Sequence, residues 1–141
     1  MKYENLIVEE NGNTTLIRMN NPKTMNAISP AMAAELRGAL RHAATVSNAV
    51  ILTGDDRAFC SGANLSNSSG MVPGKMDTGA MLEDVYNPLV MTIRDLPIPL
   101  ITAIRGSAAG IGASLAMLGD IIVGGKSSYF LIPFPAPAPA R

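Results

Sequence analysis

The residues best placed to take part in binding or catalysis lie in a glycine-rich turn between an apolar strand and a helix of small residues. The stretch from Ile98 to Asp120 reads I-P-L-I-T-A-I-R-G-S-A-A-G-I-G-A-S-L-A-M-L-G-D. Gly106, Gly110 and Gly112 allow a sharp turn, and the first N–H groups of the following helix lack intrahelical partners. Such groups can bind an oxyanion or a phosphate. Because the stretch has no His, Cys, Lys, Asp or Glu before Asp120, its backbone would do most of any chemistry.

Three interpretations of this turn compete. A dinucleotide-binding G-x-G-x-x-G fingerprint would need a glycine where Leu115 stands. A G-x-S-x-G nucleophile elbow would need glycines on both sides of Ser114 in that pattern, and they are not there. The third interpretation is tight packing of the strand against the helix, without chemistry.

Two further motifs give the turn a context. Val50–Gly54 reads as a buried strand, and the residues from Arg57 to Leu65 read R-A-F-C-S-G-A-N-L. Together with the glycine-rich turn, this segment resembles the enoyl-CoA hydratase/isomerase (crotonase) superfamily. In that family an A-F-x-x-G-A-D-L turn and an N-G-x-A-x-G-G-G-x-x-L-A-x-x-C-D turn each supply one backbone N–H to an oxyanion hole. The residues from Asn21 to Ile28, N-P-K-T-M-N-A-I, resemble the family's R-P-x-x-x-N-A-L loop. The resemblance runs from about Leu6 to Phe134.

The resemblance implies an α/β fold, the ββα spiral core of the ClpP/crotonase type with its C-terminal helical part missing. We therefore expect an incomplete core at residues 1–132 and a Pro/Ala-rich tail at residues 133–141, as in a truncated or frame-shifted family member. The implied substrate is an acyl-CoA thioester, so no separate cofactor is expected. Homotrimers and hexamers built from them are typical of the family.

The resemblance places the two oxyanion-hole donors at the backbone N–H groups of Ser61 and Ile111. By analogy with other oxyanion holes, each donor is worth roughly 3–4 kcal/mol of stabilisation of the developing enolate. The alternative is that Ser61 and Gly62 only form a tight turn. The implied substrate- and CoA-binding residues are Lys23, Met25, Ala27, Ser61, Gly62, Ala63, Asn64, Gly110 and Ile111.

The proton-transfer groups of a hydratase are not at their usual positions. The resemblance aligns Ser114 and Phe134 with the two glutamates of hydratases, and neither side chain is a base for a carbon acid at neutral pH. This favours an isomerase-like activity over simple hydration and leaves the base unidentified. Glu83 and Asp84 are interpreted as a solvated helix face, and Asp120 as a structural residue.

Composition excludes several function classes. The 141 residues suit one domain, and the zero formal net charge gives no footprint for nucleic acid or a membrane surface. We see no signal peptide, no membrane-spanning stretch and no metal-ligand constellation. Cys60 is the only cysteine, which fits a reducing cytosol, and we interpret it as a small buried apolar residue. The sequence thus predicts a cytoplasmic protein.

Hydrophobic periodicity predicts the elements that position these turns. A hairpin over Asn5–Glu9 and Thr14–Met19 turns at Asn11–Asn13, and Ser29 caps a helix over 30–46. The later predicted elements are a strand at 49–53, a loop at 66–78, a helix at 79–96 with a possible kink at Pro88, a strand at 100–104, a helix from 110 and a strand at 121–123. Strand–helix alternation predicts parallel pairing.

Three other functions stay open at this point. The chain could bind CoA without catalysis, or it could be a truncated product that does not complete its core. A nucleotide-binding α/β domain is the weakest of the three, because the glycine pattern is incomplete.

Overall fold

The computed structural model describes residues 2–64 and 78–132. The predicted loop at 66–78, except its last residue, and the predicted tail at 133–141 with Phe134 lie outside the described residues. The strands are β1 Leu6–Asn11, β2 Thr14–Met19, β3 Ala49–Thr53, β4 Ala58–Cys60, β5 Leu100–Ile104, β6 Ser107–Ala109, β7 Ile121–Gly124 and β8 Tyr129–Leu131. The helices are α1 Pro30–Val46, α2 Thr78–Met81, α3 Asn87–Arg94 and α4 Ile111–Met117, with a 3-10 turn at Pro22–Thr24 and a π-helical turn at Leu82–Tyr86.

The larger sheet has five strands in the order β1-β2-β3-β5-β7. β1 and β2 form the predicted antiparallel hairpin, with Asn11 opposite Thr14 and Gly12 at a φ of 60° in the tight turn. The other pairs are parallel, as predicted, with Val50 opposite Leu100 in the β3–β5 pair. Each parallel step needs a crossover, and a described helix lies in all three connections. These are α1 between β2 and β3, α3 between β3 and β5, and α4 between β5 and β7.

A second sheet of three short parallel strands, β4-β6-β8, was not predicted from periodicity. Each strand has three residues, which is too short for alternation to show in the sequence. Ala58 pairs with Ser107, and Cys60 pairs with Ala108. This sheet determines where the turns after β4 and β6 lie.

The helix α1 begins and ends where the sequence predicts. The Ser29 hydroxyl oxygen accepts a hydrogen bond from the Met32 N–H at 3.1 Å, and Pro30 occupies the first helical position. These two features satisfy the start of the helix. Leu36 and Leu40 are fully buried in the core against the larger sheet.

The predicted helix at 79–96 is interrupted, and its end is wrong by two residues because α3 stops at Arg94. Residues 82–86 form a π-helical turn that closes with the Asn87 N–H donating to the Leu82 carbonyl. Pro88 has no N–H to donate back into this turn. The interruption of the helix therefore lies at the π-helical turn that directly precedes Asn87 and Pro88.

An exposed apolar strand lies at one edge of each sheet. All four residues of β7 and all three of β8 are exposed, Ile121 at 57% and Leu131 at 53%. Strands with exposed edges present unpaired backbone groups to other chains. Within residues 2–64 and 78–132, no helix combines the length and apolarity required to cross a membrane.

Candidate functional site

The two turns whose backbone N–H groups could bind an oxyanion lie at the same edge of the smaller sheet. β4 and β6 are parallel neighbours, so the turn after β4, starting at Ser61, and the turn after β6, at Gly110, leave from the same side. Gly112 lies so close to the end of β4 that a Cβ there would be 2.3 Å from the Cys60 carbonyl oxygen. The structure therefore brings together the two segments that the sequence singled out.

The third motif, the loop after β2, closes over the turn after β4. Ile28 forms a parallel bridge with Ala63, its N–H donates to the Gly62 carbonyl at 2.7 Å, and its carbonyl accepts from the Asn64 N–H at 3.0 Å. Met25 precedes this bridge in the left-handed region, with a φ of 54°. The backbones of all three motifs thus meet at the edge of the smaller sheet where the turns after β4 and β6 begin.

The Ser61 N–H already has a partner within the chain. It donates to the Met25 carbonyl oxygen at 3.0 Å, and the Ser61 hydroxyl donates to the Thr24 carbonyl at 2.8 Å. A ligand oxygen at Ser61 must therefore compete with the Met25 carbonyl for this donor. The sequence gives no sign of that competition, because it depends on the left-handed turn at Met25.

The backbone N–H of Ile111, unlike that of Ser61, does not donate to a carbonyl of another loop within the described residues. Ile111 is the first residue of α4, so its N–H has no intrahelical acceptor. Gly110 precedes it with a φ of 56° and supplies no side-chain cap, and the Gly110 N–H donates to the Leu131 carbonyl at 2.9 Å. The backbone of Gly110 thus holds β8, whereas the Ile111 N–H has no hydrogen-bond partner in the part of the chain that the structure describes.

An apolar pocket of about 160 Å³ opens beside Ile111. Its walls come from the 82–90 helical stretch and from α4, and Ile28 belongs to the lining as well. Ser114, at the position of a hydratase glutamate, also lines the pocket. None of the described residues that line it carries a carboxylate. A volume of this size accepts a short acyl chain or one aromatic ring.

Tyr86 is a residue of this pocket that the sequence analysis missed. Its hydroxyl donates to the Ile28 carbonyl at 3.2 Å, and its side chain is buried. Burial raises the pKa of Tyr86, and the nearby Cys60 raises it further. The position of the Tyr86 side chain depends on the π-helical turn, which no sequence pattern predicted.

Cys60 is fully buried, as predicted, and burial raises its pKa to about 11. At neutral pH the thiol therefore stays protonated, and a thiol in this state is a poor nucleophile. Cys60 packs in the core next to Gly112 rather than presenting reactive sulfur to the pocket.

The remaining predicted residues lie where their residue types suggest. Glu83 and Asp84 are exposed on the helical stretch, as predicted. The Asp120 carboxylate accepts from the Leu100 N–H at 2.8 Å, which confirms a structural position. Lys23 is exposed, Met25 is half-buried and Ala27 is buried. Among the residues that the structure describes, no cluster of three His, Cys, Asp or Glu side chains could hold a metal ion.

Asn26 is the second residue that the sequence analysis did not choose, although it belongs to the quoted loop motif. It is fully buried with a φ of 59°. Its side-chain oxygen accepts from the Asn21 N–H at 2.8 Å, and its side-chain nitrogen donates to the Ala58 carbonyl at 3.0 Å. Asn26 therefore fixes the loop against the start of β4. The sequence signal that could have identified Asn26 is an asparagine in a turn, because asparagine tolerates a positive φ.

We expect Asn26→Ala to lower the free energy of unfolding by about 2–3 kcal/mol. The change removes three side-chain hydrogen bonds, the third a long one of 3.5 Å to the Asp55 carboxylate. It also leaves the buried Ala58 carbonyl with one partner fewer and places alanine at a positive φ. Urea denaturation followed by circular dichroism measures the loss. Asn20→Ala, at an exposed position of the same loop, is the control and should change stability by less than about 0.5 kcal/mol. Equal effects of the two changes would contradict this role.

Comparison with known proteins adds a family and a fold. A family model described as enoyl-CoA hydratase/isomerase matches residues 9–136. The 1,2-epoxyphenylacetyl-CoA isomerase of Escherichia coli is 37% identical over 128 residues, with 89% of this chain and 48% of that protein covered. The 2,3-dehydroadipyl-CoA hydratase of the same organism is 32% identical over 130 residues, with 91% and 49% covered.

Solved structures agree in fold. An enoyl-CoA hydratase/carnithine racemase from Magnetospirillum magneticum superposes with a TM-score of 0.84 at 27% identity, over 94% of this chain and 50% of that chain. The chain spans about half the length of the curated relatives it matches.

Proposed function

Because this chain belongs to the enoyl-CoA hydratase/isomerase family, we propose that it binds an acyl-CoA thioester where the turns after β4 and β6 meet. The predicted α/β crotonase-type fold is confirmed by the solved structures. In the proposed complex the thioester oxygen accepts the Ile111 N–H. It also accepts the Ser61 N–H, which must first leave the Met25 carbonyl. The two donors would stabilise the negative charge of an enolate.

The apolar pocket beside Ile111 is the observation that carries this proposal. A thioester whose oxygen lies at the Ile111 N–H has its acyl group next to Ser114 and Leu115, which line the pocket. The loop with Lys23, Met25 and Ala27 and the turn with Gly62, Ala63 and Asn64 would hold the CoA portion. Gly110 would bring the backbone close to the thioester. The CoA thioester is then substrate, and no further cofactor is required.

An isomerase-like reaction fits the pocket better than hydration. Hydration needs acidic groups that deliver water, and the described lining contains none, with Ser114 in place of one glutamate. Phe134, at the other position, lies outside the described residues. The similarity to the 1,2-epoxyphenylacetyl-CoA isomerase of Escherichia coli also supports an isomerase-like reaction. The base that removes the substrate proton stays unassigned, and the cytoplasmic location and the trimeric assembly stay predictions.

Binding of CoA without turnover is the second candidate. Two observations favour it, namely the engagement of the Ser61 N–H by Met25 and the lack of a carboxylate in the described pocket. Under this alternative the adenosine and pantetheine portions would supply most of the affinity, and the acyl group little.

A thermal melt with saturating enoyl-CoA or free CoA separates the two candidates. At one hundred times the dissociation constant, a ligand that binds only the folded state adds about 2.7 kcal/mol of stability. We expect enoyl-CoA to raise the melting temperature more than free CoA does. Equal shifts would favour CoA binding alone, and no shift with either ligand would refute the proposed site.

Filling the pocket provides the matched control for that melt. Ser114→Phe places a ring in the pocket and should remove the difference between enoyl-CoA and free CoA, because the acyl group loses its space. Ser114→Ala leaves the pocket open and should keep the difference.

A further inference from the structure

A second and larger cavity lies on the other side of α3 from the acyl pocket. It has a volume of about 390 Å³ and lies between α1 and the segment from Pro88 to Pro97. Tyr86, Leu89 and Val90 face the acyl pocket, whereas Pro88, Met91 and Thr92 line this groove. The two cavities therefore share a helix but no lining residue. The groove has the size of ordinary small-molecule sites.

Two arginines one helical turn apart give the groove its charge. Arg37 and Arg41 are both on α1 and both line the groove. The ion pairs found within residues 2–64 and 78–132 involve neither of them, since these join His42 to Glu10 and Arg105 to Asp56. Asp95 is the acidic residue among the lining, so two positive charges face one negative charge.

Arg37 has an unmet hydrogen-bonding requirement. Its Nε is buried and has no hydrogen-bond partner among the described residues. A buried donor without an acceptor is costly to leave unmatched, and a guanidinium satisfies it best with a planar or tetrahedral oxyanion. Within the described residues the Arg37 Nε has no acceptor and Arg41 forms no ion pair, and both findings point to an anionic ligand.

We propose that this groove binds a small organic anion, with a phosphate or carboxylate group at Arg37 and Arg41 and a short apolar body against Met91 and Leu96. Arginine suits both oxyanions because its fork of N–H donors matches two oxygens at once. The apolar residues among the lining distinguish the groove from a site for an inorganic ion. Asp95 opposes the anion and so limits its affinity. The inference does not depend on the proposed thioester chemistry.

The test is an NMR titration of the full chain with phenyl phosphate, benzoate and inorganic sulfate, each at constant ionic strength. We expect at least one aromatic anion to bind more tightly than sulfate and to shift the amide signals of Met91 and Thr92. Phenyl phosphate as the tighter ligand identifies the phosphate class, and benzoate the carboxylate class. Shifts centred on Ser61 and Ile111 instead would assign the anion to the thioester site and overturn the proposal.

Four substitutions, one of them a control, complete the test. Arg37→Gln and Arg41→Gln should each weaken binding of the tighter aromatic anion about tenfold or more, and Asp95→Asn should tighten it severalfold. Arg94→Gln, at the end of α3 but outside the lining, should change the dissociation constant less than twofold. Circular dichroism checks that each variant is folded, and Arg41 is exposed, so its variant serves if Arg37→Gln does not fold. Undiminished affinity in Arg41→Gln, or weaker binding in Asp95→Asn, would refute the site.

Discussion

A Gly112→Ala variant is expected to lose about 3 kcal/mol of unfolding free energy, at the upper end of the usual cost of overpacking a core. The added Cβ would lie 2.3 Å from the Cys60 carbonyl oxygen and 2.8 Å from the Cys60 Cβ. Neither atom can move alone, because Cys60 ends the β4 strand and is fully buried. Relief of the clash requires α4 to separate from the smaller sheet, which costs packing energy.

The chain contains a matched control for this change. Gly38 lies inside α1, and a Cβ there would meet nothing within 4 Å. Gly38→Ala should therefore raise stability by about 1 kcal/mol, because alanine is the better helix former. Urea denaturation of both variants measures the two free energies. If Gly112→Ala were as stable as the unmodified chain, the close approach of the two turns would be wrong.

The second large effect concerns catalysis and follows from the position of Ile111. An Ile111→Pro variant should lose about 100-fold to 1000-fold of any enolate-forming activity, as for the loss of one oxyanion-hole donor. Proline removes the N–H that we propose as the donor. The helix should survive, because Ile111 is its first residue and proline is favoured there. Exchange of the α-protons of an acyl-CoA with deuterated water, followed by NMR, measures the rate.

Ile111→Ala is the control for that experiment. It shortens the side chain at the pocket but keeps the backbone N–H, so exchange should fall much less than in Ile111→Pro. Equal losses in the two variants would mean that the side chain, and not the backbone donor, matters. A complete lack of exchange with the unmodified chain would favour CoA binding without turnover.

The hairpin, α1, β3 and β5 could all be predicted because each is long enough to show a period and has a local start or stop signal. Ser29 and Pro30 mark the beginning of α1, and Gly12 marks the hairpin turn. The parallel order of the larger sheet follows from strand–helix alternation. For these elements, local pattern and tertiary packing agree.

The smaller sheet could not be predicted in the same way. Its strands have three residues each, and Ala58 finds its partner Ser107 forty-nine positions along the chain. The hydrogen bond from Ser61 to Met25 has the same origin, because a left-handed turn brings the two together. The sequence located the segments of the site through three motifs. Which donors are occupied was decided by tertiary contacts.

The order of the strands in the larger sheet has a kinetic consequence. Spatial order follows chain order from β1 to β7, with β4 and β6 assigned to the other sheet. The hairpin of β1 and β2 can close within microseconds, and each later strand must then add at the edge that is open at that moment. During synthesis on the ribosome the sheet would therefore grow in one direction. Among the described strands of this sheet β7 is the last in chain order, and it forms one edge of the sheet while β1 forms the other.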